Sequence, residues 1–212
     1  GHDRQAGDVG EGESMLRRAF KTCERTLGTE VLARAPMYGT LGSALFLQEK
    51  YEQARIPLSR ALELYESNVG PANPETRSVH LNLGRIEFET GHWDEALHAY
   101  GRALAVTEAA HEGEHPDLVR TLLLIGRAHR ERGELETARA AFLRAYEITQ
   151  AHRDLPPTDV GDVAFERAQA ESDPSVAMKL AGEARAQFVT AGSQGADDVL
   201  AVDAWIAEQP PG

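Results

Sequence analysis

The feature of this sequence that most restricts its fold is a repeat with a period of 42 residues. Three segments align without gaps, and each has a Leu-Gly or Ile-Gly pair at the same place, at residues 41–42, 83–84 and 125–126. Four further sets of residues keep this register: Tyr51, Trp93 and Leu135; Ala54, Ala96 and Ala138; Leu58, Tyr100 and Phe142; and Ala61, Ala103 and Ala145. Such a period is typical of repeat architectures, in which each unit buries its apolar face against its neighbours.

Each repeat predicts a helical hairpin, with a first helix and a second helix. Apolar residues recur at helical spacing in two stretches, which a short polar turn separates, as at residues 89–92 and 131–134. A glycine inside a helix costs about 1 kcal/mol relative to alanine, so a recurring one implies a packing role. We therefore expect Gly42, Gly84 and Gly126 to let each first helix lie close against its second helix.

These residues resemble the tetratricopeptide repeat: the Leu-Gly pair, an aromatic residue at the turn, and the pattern A…F/Y…A on the second helix. The 42-residue period is similar to that of the kinesin light chain type. The sequence departs from the pattern at Glu49, where a turn glycine is expected, and at Glu87 and His129, where an aromatic is usual. The resemblance implies an all-α, right-handed superhelix of antiparallel helix pairs that acts as a scaffold, with no catalytic residue, cofactor or metal.

The register also predicts how the chain is divided. Leu16, Ala19 and Phe20 precede Leu58, Ala61 and Leu62 by one period, which indicates the second helix of an earlier unit. The alanine-rich segment that follows residue 157 predicts a degenerate fourth unit and a capping helix. The expected divisions are a lead-in or tag remnant at 1–10, a half repeat at 11–28, three units at 35–68, 77–110 and 119–152, a degenerate unit at 158–190, and the cap at 196–208.

The ending DPSVAMKLAGEARAQF…VDAWIAE also resembles the tails of bacterial serine/threonine kinases that carry such repeats after their catalytic domain. No kinase motif occurs in the 212 residues. Because the chain starts in the middle of a repeat, we expect it to be the C-terminal region of a longer bacterial protein with a regulatory or targeting role.

Charge and composition limit the classes of partner. The formal net charge of −12 argues against a general nucleic-acid or anionic-membrane binder. No run of about 18 apolar residues occurs, and the polar opening lacks the core of a signal peptide. The single cysteine, Cys23, excludes an internal disulfide framework and fits a reducing compartment. These observations predict a cytoplasmic location.

One motif points toward chemistry. Residues 111–115, HEGEH, satisfy the H-E-x-x-H pattern that zinc metalloproteases carry on a helix. In the repeat register, however, the motif falls on the loop that joins two units, and Gly113 and Pro116 oppose a continuous helix. We therefore expect no catalysis there, whereas adventitious zinc binding at an exposed loop stays open. The segments Asn73-Pro74-Glu75 and His115-Pro116-Asp117 predict helix starts.

The predicted binding surface lies on the first helices, which line the inner surface of a superhelix of this type. Helical spacing places a set of residues on the face turned away from the second helices: Ser43, Leu47, Ser78, Asn82, Arg85, Glu89, Arg120, Arg127 and Arg130. Arg85 and Arg127 occupy equivalent repeat positions. The arginines favour a protein or peptide partner with acidic side chains. The alternative is that they pair with nearby glutamates such as Glu89 and Glu131, or are solvated.

Two further alternatives concern the partner. Some tetratricopeptide domains hold chaperone C-termini with a two-carboxylate clamp made of five residues. Asn82 and Arg120 match two of these five positions, so we do not predict chaperone binding. A rival function is self-association, in which the half repeat at 11–28 pairs with a second chain to form a homodimer through Leu16 and Phe20.

Overall fold

The computed structural model describes Arg18, residues 32–111 and residues 113–209. In these residues a 3₁₀ turn, Leu32–Arg34, precedes nine α-helices, and there is no strand. The helices are α1 (Ala35–Phe46), α2 (Tyr51–Val69), α3 (Pro74–Glu89), α4 (Trp93–Ala110), α5 (Leu118–Glu131), α6 (Leu135–Ala151), α7 (Pro157–Ala170), α8 (Pro174–Thr190) and α9 (Ala196–Glu208).

The helices pack as consecutive hairpins, which confirms the predicted all-α repeat architecture. α1 packs on α2, α3 on α4, α5 on α6 and α7 on α8, while α9 lies against α8. The chain forms two compact halves, an N-terminal half of residues 1–110 and a C-terminal half of residues 111–212. Within each half a second helix also packs on the next first helix, α2 on α3 and α6 on α7. The predicted half repeat at 11–28 lies outside the described residues, apart from Arg18.

Each half has its own apolar core at the helix interfaces. In the N-terminal half the repeat alanines Ala54 and Ala61 are fully buried together with Leu58. In the C-terminal half Phe188 and Val202 are buried, and Trp205 of α9 packs edge-on against Phe165 with ring centroids 5.9 Å apart. Helix α9 therefore covers the apolar face that the last hairpin would otherwise expose.

The repeated glycines stand where two helices approach most closely, as the sequence predicted. A Cβ atom built on Gly84 would lie 2.5 Å from Cε1 of the buried Tyr100, and one on Gly126 would overlap the ring of Phe142 in the same way. Gly42 stands against Leu58. Only a residue without a side chain lets these first helices come so close to the second helices.

The fourth hairpin keeps this kind of contact but moves it. Its two helices begin 39 residues after those of the third hairpin, at Pro157 and Pro174. At this spacing Phe165 takes the place of Gly126, and Ala181 takes the place of Phe142. The close contact is instead made by Gly161 of α7, whose built Cβ would lie 2.7 Å from the ring of Phe188. As in the other hairpins, the glycine lies on the first helix and the large side chain on the second.

Local caps explain where the helices begin. Helix α3 starts at Pro74, and the Asn73 side chain accepts a hydrogen bond of 2.9 Å from the Glu75 amide. Helix α8 starts at Pro174 after Asp173, whose carboxylate accepts from the Ser175 amide at 2.8 Å. The start at Pro74 was expected from the sequence.

The turns inside the first three hairpins each contain a left-handed residue. Gly91 and Gly133 supply it, each with φ of +78°, and Glu49 has φ of +58° at the equivalent position. A side chain makes this conformation unfavourable by roughly 1 kcal/mol or more, so Glu49 strains the first turn.

Candidate functional site

The residues predicted to contact a partner belong to the first helices of both halves. In the N-terminal half these are Ser43 on α1, Leu47 directly after α1, and Ser78, Asn82, Arg85 and Glu89 on α3. In the C-terminal half they are Arg120, Arg127 and Arg130 on α5. We describe the two groups separately.

In the N-terminal half a hydrogen bond between two half-buried side chains joins α1 and α3. The Asn82 amide donates to the Ser43 hydroxyl at 3.0 Å, and the two first helices are in contact. Ser78 is exposed, with its hydroxyl donating to the Glu75 carbonyl at 3.1 Å. Leu47 is 73% exposed at the end of α1. This face therefore offers hydroxyl and amide groups beside an exposed apolar side chain.

A cation and an aromatic ring lie at one end of this face. The Arg85 guanidinium lies 4.3 Å above the centre of the Phe46 ring, and Phe46 in turn contacts Tyr51 with centroids 5.5 Å apart. Burial raises the pKa of the Tyr51 hydroxyl, and the negative charges of Glu89 and Glu49 add to that rise, while Arg85 opposes it. Tyr51 packs against the core, in agreement with the preferred interpretation of its repeat position. Arg85 and Glu89 thus bring opposite charges near one aromatic pair.

In the C-terminal half, Arg127 and Arg130 converge on one carboxylate. Arg127 donates from Nε to Glu166 Oε1 at 2.5 Å, and Arg130 donates to the other oxygen of the same carboxylate. Arg130 also donates to the Gln169 side chain at 3.1 Å. The Glu166 side chain is only 9% exposed. A carboxylate buried to this extent needs such partners, because its desolvation is otherwise uncompensated.

The remaining charges of this face differ in their surroundings. Arg120 is exposed and has no ion pair among the residues that the structure describes. Asp162 lies on α7, where burial raises the pKa of its carboxyl to about 6. Arg127 opposes this rise in pKa, and the charges of Asp198, Asp159 and Glu166 add to it. The α5–α7 face is therefore a mixed cluster rather than a purely basic stripe.

The sequence prediction did not identify Glu166, the shared partner of Arg127 and Arg130. Glu89 and Glu131 were the glutamates considered as ion-pair partners of the arginines. In the structure Arg127 and Arg130 pair with Glu166 instead. At the 39-residue spacing of the fourth hairpin, Glu166 occupies the repeat position of Arg127. The 42-residue register assigns Glu166 to a different repeat position. The 39-residue spacing of the fourth hairpin is the sequence feature that could have predicted its pairing with Arg127. Phe46, under Arg85, is a second residue that was not predicted.

His111 and His115 lie in the loop between two hairpins, as the repeat register predicted. Helix α4 ends at Ala110 and α5 begins at Leu118, so no helix runs across His111 and His115. Gly113 has φ of +76° in this loop. The zinc-protease motif requires both histidines on one turn of a continuous helix, and this loop does not provide that arrangement.

The fold and the repeat contacts agree with the comparisons to known proteins. The tetratricopeptide repeat family matches residues 2–67 and 75–151, which is more than half of the chain. The chain belongs to the tetratricopeptide repeat family. Among curated proteins, no sequence matches it.

Several solved structures share the fold. The kinesin light chain nearly identical TPR-like repeats of Podosopora anserina superpose with a TM-score of 0.71 at 19% identity, covering 89% of this chain and 91% of that one. BtubC (BKLC) from P. vanneervenii gives a TM-score of 0.72 at 16% identity, covering 99% and 78%. The apo form of RapI gives 0.72 at 13% identity, covering 91% of this chain and 52% of that one.

These matches support a tetratricopeptide repeat scaffold for protein interaction. Among the described residues, no helix combines the length and the apolar character that crossing a lipid bilayer requires.

Proposed function

We propose that this protein binds a peptide, or an exposed segment of a partner protein, on the first-helix face of its N-terminal half, without chemistry. The hydrogen bond between Asn82 and Ser43 is the observation that carries this proposal. It aligns two first helices so that their hydroxyl and amide groups face the same surface. Those groups can exchange their mutual bond for bonds to a peptide backbone at little cost, because both states are hydrogen-bonded.

Arg85 supplies the charge preference of the proposed surface. Its guanidinium lies on the Phe46 ring, which orders the side chain before a ligand arrives. A carboxylate of the partner can accept the planar fork of hydrogen bonds that a guanidinium provides. Leu47, 73% exposed at the same end of α1, provides an apolar contact. The proposed ligand is therefore an acidic segment with an apolar residue near its carboxylate.

We expect the arginines of the C-terminal half to contribute less to the affinity for the partner. An external carboxylate would have to compete with Glu166 for Arg127 and Arg130, and Glu166 is nearly buried and held by both. Arg120 is exposed on the same helix and is available to long-range attraction of an acidic partner. We expect Arg120 to affect the association rate more than the dissociation rate.

A peptide selection with matched arginine variants tests the proposal. Peptides selected on the whole chain from a random phage library are measured by fluorescence anisotropy against wild type, Arg85→Gln and Arg60→Gln. Arg60 lies on the second helix α2 and pairs with Glu63, so it controls for loss of one positive charge. We expect Arg85→Gln to weaken binding about tenfold and Arg60→Gln to leave it unchanged. Equal effects of the two variants would remove the first-helix face from the proposal.

Self-association is the second candidate function, and one observation favours it. A groove of about 580 Å³ lies between α1 and α2, with Tyr38, Leu41, Leu45, Ile56 and Pro57 among its lining residues. Ile56 is 73% exposed there. We propose as its occupant the segment 11–28 of a second copy, because Leu16 and Phe20 repeat the apolar positions of a second helix.

Sedimentation velocity over a range of concentrations distinguishes the two candidates. A dimer that disappears in both Leu16→Ala/Phe20→Ala and Ile56→Asp supports self-association. A monomer at all concentrations contradicts it and leaves peptide binding unaffected.

We further propose a cytoplasmic location and a regulatory or targeting role within a larger bacterial protein, next to a serine/threonine kinase domain. The resemblance of the last hairpin and cap to the tails of such kinases supports this context. Sequencing the upstream reading frame tests it, and a continuous frame without a kinase domain would contradict it. Fractionation of the native cell tests the location.

A further inference from the structure

The loop between α4 and α5 brings two imidazoles and a carboxylate together. The rings of His111 and His115 are stacked, with centroids 3.5 Å apart and planes 7° from parallel. Asp117 places Oδ2 3.6 Å from His111 Nε2 and 3.9 Å from His115 Nδ1. One candidate ligand atom from each of the three residues lies within 4.8 Å of the other two.

Neighbouring residues hold this loop in place. The Glu114 carboxylate accepts two hydrogen bonds from Arg144 of α6, at 3.1 and 3.2 Å. The Glu114 carbonyl lies 3.2 Å from Nε2 of His152, directly after α6. Both contacts are made by Glu114, directly before His115, and they restrict the positions of this part of the loop, which lowers the entropy lost when an ion binds.

We propose that His111, His115 and Asp117 bind one Zn²⁺ ion. Two imidazole nitrogens and one carboxylate oxygen are a ligand set that zinc takes in proteins, with a water in the fourth position. Bonds of about 2.0–2.1 Å in a tetrahedron put neighbouring ligand atoms about 3.3 Å apart. The separations of 3.6 and 3.9 Å are therefore close to those of a formed site.

Two changes complete the geometry: the rings rotate, and Nδ1 of His115 exchanges the hydrogen bond that it accepts from the Asp117 amide at 3.2 Å for a bond to the ion. In the stack the two imidazole planes are parallel, whereas the lone pairs of both rings must point at one ion. The side chains of His111, His115 and Asp117 are 34%, 37% and 44% exposed, so they can turn without disturbing a core. The same exposure gives the ion and its water direct access. Nitrogen ligands favour zinc over Mg²⁺ and Ca²⁺, which prefer all-oxygen sites.

This site differs from the protease motif in the same segment. Its third ligand is Asp117, which lies beyond the motif, and its ligands come from a loop rather than from one helix. The proposed role is binding of the ion, independent of the peptide-binding face on α1 and α3.

Titration calorimetry with ZnCl₂ on the whole chain tests the proposal, together with the visible absorption of the Co²⁺ form, which reports tetrahedral coordination. We expect one ion per chain and a loss of affinity of at least about tenfold in each of His111→Ala, His115→Ala and Asp117→Ala. The circular dichroism of these variants should match that of wild type, because the three side chains lie outside the cores. Excess Mg²⁺ should not displace the zinc.

Two controls separate this site from unspecific binding. His92→Ala removes a histidine whose side chain is 56% exposed on a different loop, and His2→Ala removes the imidazole next to the N-terminus. Neither should change the affinity. Arg144→Ala frees Glu114 and should weaken binding up to about tenfold, as loss of an outer contact does. Adventitious binding only is the outcome if the controls lower the affinity as much as His111→Ala, or if no stoichiometric site appears, and either result overturns the proposal.

Discussion

The N-terminal and C-terminal halves join their first helices in different ways. In the N-terminal half Ser43 accepts a neutral hydrogen bond from Asn82, 39 residues later. In the C-terminal half Arg127, which occupies the repeat position of Ser43, pairs with the nearly buried Glu166, also 39 residues later. In the interior of both halves a glycine of the first helix packs against a large side chain of the second helix. The contacts between the first helices, in contrast, differ between the halves. The scaffold therefore depends on the repeat, and the chemistry of each surface depends on individual substitutions.

The largest expected effect tests whether the two interiors are equivalent. Gly84→Ala and Gly126→Ala should each lower the free energy of unfolding by about 3 kcal/mol, because the new methyl group overlaps the ring of Tyr100 or Phe142. Gly101→Ala, in a helix with open space around it, should instead raise it by about 0.5–1 kcal/mol. Urea denaturation measures all three. A clear difference between the first two variants would show that the interiors are not equivalent.

The second prediction concerns acid and the N-terminal half. Burial lowers the pKa of His80 to about 4, with Arg102 and His98 contributing. Between pH 6.5 and about 4 the unfolded chain takes up a proton that the folded chain does not, so stability should fall by roughly 2–3 kcal/mol as the pH drops through this window. His80→Gln should lack this loss, whereas the exposed His92→Gln should retain it. Denaturation midpoints at pH 7 and 4 provide the measurement.

The third prediction compares two arginines at equivalent repeat positions. Arg127→Glu sets a new carboxylate beside Glu166 and should cost about 2 kcal/mol, because the buried charge loses one partner and gains a repelling neighbour. Arg85→Glu removes the contact of the guanidinium with the Phe46 ring and should cost less than about 1 kcal/mol. Thermal unfolding distinguishes them. A similar loss of stability in the two variants would contradict the difference assigned to the surroundings of Arg127 and Arg85.

The fourth prediction has the opposite pH dependence and belongs to the C-terminal half. The carboxyl of Asp162 has its pKa raised to about 6 by burial, so stability should fall as the pH rises from about 4 to about 6. Asp162→Asn removes the charge and should stabilise the protein by about 1–2 kcal/mol at pH 7.5 but not at pH 4. Asp203→Asn, which loses an ion pair with Arg185, should not stabilise it at either pH.

The smallest effect concerns the hairpin turns. Glu49→Gly should stabilise the N-terminal half by about 0.5–1 kcal/mol, because glycine adopts the left-handed conformation without strain. Gly133→Glu, the reciprocal change in the C-terminal half, should destabilise by a similar amount. Chemical denaturation of both variants checks the pair, and a loss of stability in Glu49→Gly would contradict the strain assigned to this turn.

The sequence by itself determined the repeat architecture. The recurrence of glycine, alanine and aromatic positions specifies helix pairs, because these contacts are local and each repeat imposes the same volume limits. It also assigned the HEGEH segment to a loop, since the register places it between two hairpins and Gly113 and Pro116 oppose a helix.

Only the tertiary structure decided which charges meet. Arg127 and Glu166 come from different hairpins, and the shorter spacing of the fourth hairpin sets their approach. The same holds for the stacked His111 and His115 beside Asp117, whose separation depends on loop dihedral angles and on the anchor at Glu114. Periodicity fixes the face on which a helical residue lies. It does not fix the distance between side chains of different hairpins or within a loop, and electrostatic energies depend on that distance.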